Sequence, residues 1–365
     1  MKLYDENTKV DFVTEPMFFG TGRNLQRYDK NKYVWYFDQG EKMDAVTWKP
    51  NEISLTKDAM DFKELEPHEE RILTLNIKRQ EILDSLQGRA PMLTFGRITT
   101  LPELEYAFIR WTFQESNHSN TYAHILRNVY PNPSKVFDEI LDDKMITKHT
   151  KYIAEHYESL YSKINAWEYL PEGHKDRPTL DEMKKATYLA LISVNILEGV
   201  RFYVSFACTF AFAENKKMVG NAGELKLIAR DENLHLALTQ KMINHLRKNE
   251  DEGFTHVIEE CEDEVRKMYQ YAAEDEIEWA KYLFEEGSIL GLNANILEQY
   301  MKYMTNTRMR GIGLSKLYPE ITTSPLPWMG AWLGTEKTEV LPQEEQITSY
   351  IIGAITDDME EEDWE

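Results

Sequence analysis

The sequence predicts an all-α protein built as a bundle of long helices. Glycine and proline together account for only 30 of the 365 residues, about 8%, where soluble proteins usually hold about 12%. Long stretches between these residues carry apolar side chains at helical spacing, and strand signals are scarce. With 42% hydrophobic residues, the chain is able to bury a sizeable core. We therefore expect a large helical body.

Composition and charge exclude several classes of function. The formal net charge of −21 repels nucleic acid, because affinity for phosphates comes largely from clustered lysine and arginine. Two cysteines, Cys208 and Cys261, are too few for a disulfide framework, and the first residues lack the apolar run of a signal peptide. The most apolar stretch, 204–213, is half the roughly 20 residues that a membrane span needs. We expect a cytoplasmic protein with no nucleic-acid partner and no membrane span.

Proline and glycine residues, which interrupt helices, divide the chain into an arm, a helical domain and a tail. Residues 1–65 are expected to form an irregular N-terminal arm packed on the body, 66–318 the helical domain, and 319–365 an extended, flexible tail that ends in DDMEEEDWE. Pro67 and Pro102 suit the first turn of a helix. The long helices are expected over 67–87, 102–129, 180–213, 220–246, 252–285 and 295–312.

The helix expected over 102–129 places a carboxylate and an imidazole on its apolar face. The face is a stripe with alternating steps of four and three residues, formed by Leu104, Phe108, Trp111, Glu115, His118, Tyr122 and Ile125. Glu115 and His118 are three residues apart, so both point toward the core.

The helix expected over 220–246 repeats this arrangement. Its stripe consists of Leu225, Ile228, Glu232, His235, Thr239 and Met242. An unpaired buried carboxylate costs several kcal/mol, so Glu115 and Glu232 both require a compensating cation. Ordinary ion pairs at the helix edges are the alternative interpretation.

Two further helices each offer an inward carboxylate. Glu198 lies on a stripe with Leu191, Val194, Ser205 and Phe212. In the helix over 67–87, Asp84 shares a face with Leu73, Ile77, Gln80 and Gln87, and Glu81 is the competitor one turn earlier. Two Glu-x-x-His pairs plus a carboxylate from each of two other helices are the ligand set of ferritin-like four-helix bundles with a dinuclear metal site. Oxygen-rich sites with one imidazole per metal suit iron or manganese better than zinc.

Tyr122 follows His118 by one helical turn, so we expect its phenol to face the metals. Phe202, Phe206 and Ile228 fall near Glu198 and Glu232 and would line an apolar pocket. Such a lining excludes water, which a long-lived oxidised side chain requires. Plain core packing is the alternative role for this tyrosine.

Across nearly its whole length the sequence resembles the small, radical-generating subunit of aerobic class I ribonucleotide reductase, and its length and tail resemble the Ia branch. The blocks that carry the resemblance are EPMFFG at 15–20, Trp48 with Pro50, LDSLQGRAP at 83–91, ESNHSNTYAHILRN at 115–128, LEGVRFYVSFACTFAFAE at 197–214, IARDENLHL at 228–236 and LPQEEQITSY at 341–350.

The resemblance implies a role for each of these positions. Asp84, Glu115 and His118 would hold one metal, and Glu198, Glu232 and His235 the other, with carboxylates bridging the two. Tyr122 would carry a stable radical formed when a di-iron centre reacts with O2; manganese is possible in place of iron. The radical would pass through Trp48, assisted by Asp231 and His118, and then through Tyr350 to a large catalytic subunit that reduces ribonucleotides. The expected assembly is a homodimer that binds the large subunit through its C-terminal tail.

Two other functions remain open at this point. A soluble acyl-carrier desaturase or oxygenase shares the paired Glu-x-x-His motif but has no need of Tyr122, Trp48 and Tyr350 together. An iron-storage protein would assemble as a cage of shorter chains. Trp48 would then only anchor the N-terminal arm, and Tyr350 would be an ordinary aromatic of the tail.

Overall fold

The computed structural model describes residue 6 and residues 9–22, 25–248 and 252–334. These residues form helices, with no strand among them beyond two isolated bridges, Phe18 with Thr99 and Ile289 with Leu292. The helices are α1 (Val34–Ala45), α2 (Thr56–Asp61), α3 (Pro67–Gln87), α4 (Ala90–Leu93), α5 (Phe95–Ile98), α6 (Pro102–Val129), α7 (Pro133–Asp138), α8 (Lys144–Tyr169), α9 (Leu180–Ile196), α10 (Tyr203–Glu214), α11 (Val219–Lys248), α12 (Thr255–Leu283), α13 (Ala294–Gly311) and α14 (Met329–Trp332). The all-α prediction is confirmed.

Four long helical runs form the centre of the fold. The helix α6 packs on α3 and α11, and α11 packs on both α9 and α10. The outer helices cover this core: α1 lies along α6, α8 contacts α3 and α9, and α12 packs between α9 and α13. The central bundle therefore has a second layer of helices around it, which keeps its interior away from solvent.

Three local features differ from the sequence prediction. The arm is not wholly irregular, because α1 folds within it and packs on α6. The 26-residue helix α8 was not predicted, although Ile146, Ile153 and Leu160 are buried at helical spacing. The single helix expected over 180–213 is interrupted by a π-helical turn at Leu197–Arg201, between α9 and α10. Such turns occur mostly as single insertions within α-helices, often at functional sites.

Local sequence signals define several helix ends. Pro67 and Pro102 occupy the first turns of α3 and α6, as expected. Thr179 forms a capping box with Glu182 at the start of α9, and the Asp143 carboxylate accepts backbone N–H groups at the start of α8. These caps satisfy amide groups that a helix start leaves unpaired.

The predicted stripes all face the core. Every member of the stripes on α3, α6, α11 and the 180–214 run is buried. The run Leu180–Glu214 is long and apolar enough to cross a membrane, yet its most apolar window lies entirely inside the fold, as is common for a core helix. Both cysteines are buried and unpaired.

Candidate metal centre

Six side chains from the four central helical runs meet at one place. Asp84, Glu115, His118 and Glu232 form one group of potential metal ligands, and Glu115, Glu198, Glu232 and His235 form a second. Within each group the ligand atoms lie within 4.8 Å of one another, and every member is buried. Glu115 and Glu232 belong to both groups, so two adjacent metal positions would share them. Asp84 is in this cluster, and Glu81, its competitor in the sequence, is in neither group.

The two imidazoles are placed symmetrically with respect to the shared carboxylates. His118 Nδ1 lies 3.2 Å from a Glu232 oxygen and 3.5 Å from a Glu115 oxygen. His235 Nδ1 lies 2.8 Å from the other Glu232 oxygen and 3.1 Å from the other Glu115 oxygen. Each histidine therefore turns the same ring nitrogen toward the centre, as expected from two helices that carry the same Glu-x-x-His spacing.

Many of these buried polar atoms have no hydrogen-bond partner among the described residues. The unpartnered atoms are both Asp84 oxygens, Glu115 Oε2, His118 Nδ1, Glu198 Oε2 and Glu232 Oε1. Buried polar atoms are nearly always paired, so six such atoms in one cluster indicate a missing ligand. Four carboxylates and two imidazoles supply the oxygen and nitrogen donors that suit iron or manganese. The residues present thus fit a dinuclear metal centre.

The pKa shifts of Asp84, Glu198 and His118 are those of a site with too little positive charge. Burial raises the pKa of Asp84 and Glu198 well above the usual values, and the nearby charges of Glu115 and Glu232 add to the effect. Burial alone would lower the pKa of His118, but the charge of Glu232 and the hydrogen bond with Asp231 raise it well above its usual value. Crowded buried carboxylates hold protons unless a cation replaces them, which is the behaviour expected of a metal site.

Buried side chains outside the ligand set orient its members. Trp111 donates its indole N–H to Glu115 Oε1 at 2.8 Å. Gln87 Nε2 donates to Glu198 Oε1 at 2.5 Å, and Gln114 Oε1 lies 3.0 Å from His235 Nε2. Such outer partners fix the orientation and basicity of metal ligands. No role was predicted for these three residues from the sequence, although Trp111 and Gln87 lie on the predicted stripes.

The structure brings Trp48, Asp231 and His118 together. Trp48 is buried, and its indole N–H donates to Asp231 Oδ2 at 2.8 Å. The same oxygen lies 3.2 Å from His118 Nε2. Arg230 pairs with the other Asp231 oxygen and also donates to the Val46 carbonyl, at 2.6 Å. Tyr350, the fourth residue expected on this route, lies outside the described residues.

Tyr122 is fully buried next to the centre, and its hydroxyl has no hydrogen-bond partner among the described residues. Burial raises the pKa of its phenol well above the usual value, and the charge of Asp84 raises it further. The residues predicted to line an apolar pocket, Phe202, Phe206 and Ile228, are fully buried, and the first two rings are stacked with centroids 5.8 Å apart.

A second cluster of charged side chains lies between α12, α8, the π turn and α3, and it is buried except at Lys148 and Glu278. It contains a third group of potential ligands, His149, Asp275 and Glu278. However, Arg201 pairs with Asp275, Arg79 pairs with Glu276, and Lys148 pairs with Glu278. Positive charge is already supplied by these side chains, so we interpret this cluster as an ion-pair network that joins helices.

The chain is similar to known proteins over most of its length. Residues 27–325 match the family model described as "Ribonucleotide reductase, small chain". The ribonucleoside-diphosphate reductase subunit beta of Buchnera aphidicola subsp. Baizongia pistaciae is 44% identical over 98% of this chain and 96% of its own length. Subunit beta of ribonucleoside-diphosphate reductase 1 from Escherichia coli O157:H7 is 42% identical, with the same coverage of both chains.

A solved structure supports the same relationship. The ribonucleotide reductase R2 subunit from Clostridium botulinum superposes with a TM-score of 0.79 at 32% identity, over 91% of this chain and 98% of that one. The sequence matches and the fold disfavour the desaturase, oxygenase and iron-storage alternatives. Together with the paired ligand groups inside the bundle, they lead to one assignment: this chain belongs to the family of class I ribonucleotide reductase small subunits.

Proposed function

We propose that this chain holds its dinuclear centre with Asp84, Glu115, His118, Glu198, Glu232 and His235, and that Tyr122 carries a stable radical used in ribonucleotide reduction. The single observation that carries the proposal is the pair of overlapping ligand groups that share Glu115 and Glu232. When bound, the metals, activated by O2, supply the oxidising power for removing one electron from a phenol.

The protein's own part in this chemistry is to place and protect the phenol. Tyr122 is buried beside Asp84, and the negative charge of Asp84 raises the pKa of the phenol. Oxidation of the phenol would break its O–H bond: Asp84, which lies next to the hydroxyl, would take the proton, and the metals held by the six side chains would supply the oxidising power. The buried rings of Phe202 and Phe206 and the side chain of Ile228 exclude water, which lengthens the lifetime of the oxidised phenol.

We further propose that Trp48, Asp231 and His118 form the route by which the radical leaves the site. The hydrogen bond from Trp48 to Asp231 and the 3.2 Å contact from Asp231 to His118 support this route, because they join a surface segment to a metal ligand through one carboxylate. Tyr350 would continue it in the C-terminal tail, which would dock on the large subunit.

Iron is the proposed metal, with manganese as the alternative, and both suit the same donors. We propose a homodimer in the cytoplasm. Exposed apolar side chains at Ile109 and Phe113, one turn apart on α6, support a surface for self-association. Sedimentation analysis of the wild type and of Phe113→Glu tests this: a dimer that the variant weakens is expected, and a monomeric wild type contradicts the proposal.

Electron paramagnetic resonance of the apoprotein loaded with Fe(II) and exposed to O2 tests the radical. The wild type should show a tyrosyl signal, and Tyr122→Phe should bind the same amount of metal without that signal. If iron gives no signal, the same comparison with manganese and an activating oxidant follows. Absence of a tyrosyl radical under both conditions would contradict the assignment of Tyr122.

A further inference from the structure

A second buried phenol is linked to the metal centre by hydrogen bonds. Tyr157 on α8 is 3% exposed, and its hydroxyl donates to Gln87 Oε1 at 2.6 Å. The amide of Gln87 in turn donates to Glu198 Oε1 at 2.5 Å. Three side chains from α8, α3 and the π turn thus form a continuous relay, Tyr157–Gln87–Glu198.

The direction of each hydrogen bond in this relay is fixed by chemistry. A carboxylate only accepts, so the NH2 group of Gln87 faces Glu198 and its carbonyl oxygen faces the phenol. The only hydrogen-bond acceptor that the described residues offer to Tyr157 is therefore a neutral amide.

The two buried phenols differ in the group that is able to take their proton. Oxidation of a phenol to a neutral radical removes one electron and one proton. Tyr122 instead has the carboxylate of Asp84 beside it, and a carboxylate is able to take a proton. A side-chain amide is not a general base, because its oxygen binds a proton too weakly, and a phenol that keeps its proton becomes a buried cation when it loses an electron.

We propose that Gln87 determines which tyrosine is oxidised: it holds Tyr157 in contact with the site but provides no proton acceptor, which confines the radical to Tyr122. Gln87 acts through its two neighbours and is a positioning residue for Glu198 as well. The inference rests on the proposed role of Tyr122 and extends it to the choice between two buried phenols.

The experiment places a base between Tyr157 and Glu198. In a Tyr122→Phe background, Gln87→Glu introduces a carboxylate and Gln87→His a neutral imidazole, while Gln87→Met removes the hydrogen bonds without adding a base. Each protein is loaded with Fe(II), exposed to O2, freeze-quenched and examined by electron paramagnetic resonance with ring-deuterated tyrosine. Metal content and the optical spectrum of the oxidised centre are measured on the same samples.

We expect no Tyr157 radical in Tyr122→Phe or in its Gln87→Met derivative. General bases contribute about 10²–10⁴-fold to the rates of reactions that transfer protons. With either base, the tyrosyl signal should therefore rise by at least about tenfold and disappear when Tyr157→Phe is added. In the step so enabled, the Tyr157 O–H bond breaks, the proton moves to the new base and the electron passes to the oxidised dinuclear centre.

Two results would overturn the inference. One is a tyrosyl radical in Tyr122→Phe that Tyr157→Phe removes, since the amide would then be no barrier. The other is the lack of a Tyr157 radical in metal-loaded proteins that carry either new base. If the second carboxylate of Gln87→Glu prevents metal loading, the result with Gln87→His tests the inference. The first of the two results needs only Tyr122→Phe, in which Gln87 is unchanged. A wild-type protein without a radical at Tyr122 would instead contradict the proposed function, so the two failures are distinguishable.

Discussion

Asp231 accepts the indole N–H of Trp48 at 2.8 Å with the same oxygen that lies 3.2 Å from His118 Nε2. One carboxylate thus orients a tryptophan near the surface and an imidazole at the metal centre. Asp231 directly precedes Glu232 in the sequence, so α11 carries a proposed metal ligand and the hydrogen-bond partner of another on adjacent residues.

Asp231→Ala removes the group that orients His118. Because an outer partner typically contributes about 10–100-fold to metal affinity, we expect a loss of that size in the affinity of the site that His118 serves. Metal titration of the apoprotein measures it. Asp231→Asn keeps an acceptor for both neighbours and serves as the matched control, with a smaller loss expected. Equal losses in the two variants would show that the charge, and not the hydrogen bonds, is what matters.

The buried ion pair between Arg79 and Glu276 provides a prediction about stability. Glu276→Ala leaves the guanidinium of Arg79 buried with its carboxylate partner removed, which should lower the free energy of unfolding by about 3–5 kcal/mol. Glu278→Ala, on the same helix, breaks an exposed pair with Lys148 and should cost no more than about 1 kcal/mol. Urea denaturation of the metal-free proteins compares them. Similar costs for both variants would contradict the assignment of Arg79 as a buried charge that depends on Glu276.

Glu224 should make stability depend on pH. Burial, with the charge of Asp58, raises the pKa of Glu224 from 4.5 to about 9 in the folded protein, where its carboxyl group lies 2.8 Å from His124 Nδ1. Between these two values the folded state holds a proton that the unfolded state has lost, so stability falls as the pH rises. The expected slope from this group is about 1.4 kcal/mol per pH unit.

The matched variant for this prediction is Glu224→Gln, which keeps the shape and cannot ionise. Chemical denaturation of both proteins at pH 6, 7 and 8 gives the difference in unfolding free energy at each pH. The free energy of unfolding of the variant should increase relative to that of the wild type as the pH rises from 6 to 8. A difference that stays constant with pH would show that Glu224 is ionised in the folded state.

The two cysteines should be unreactive in the native protein. Burial raises the pKa of Cys208 to about 12 and also raises the pKa of Cys261, and both side chains are inaccessible. Because the thiolate is the reactive form, a disulfide-exchange reagent should label neither cysteine in the folded protein and both in denaturant. Rapid native labelling of Cys208 would reveal opening of the core on that time scale.

The residues of the buried carboxylate–histidine cluster could be predicted from the sequence better than their surroundings could. Glu115, His118, Glu232 and His235 could be found because a charged residue on an apolar helical stripe is a strong local signal. The partners of these ligands come from other helices: Trp48 and Asp231 are 183 residues apart, and Tyr157 and Gln87 are 70 apart. A stripe shows which face of a helix is buried but not which side chain of another helix it meets.

The helix α8 and the π turn were missed for different reasons. The apolar stripe of α8 is present in the sequence. However, the many polar residues of this segment, and Pro131 and Pro133 before it, are typical of a loop between helices. The π turn is hidden because residues 186–212 are all buried, so the apolar pattern gives no sign of a change in register. Only the backbone path reveals it.

The π turn also makes Glu198 different from the other five side chains of the cluster. Asp84, Glu115, His118, Glu232 and His235 all project from regular α-helical turns, whereas Glu198 projects from a wider turn whose backbone hydrogen bonds skip one residue further. Gly199 directly follows Glu198. The Arg308 side chain packs where a Cβ atom of residue 199 would lie, and its Nε donates a hydrogen bond to the Gly199 carbonyl oxygen. Five side chains of the cluster therefore stand on regular helices, and the sixth stands on an irregular turn that the Arg308 side chain holds in place.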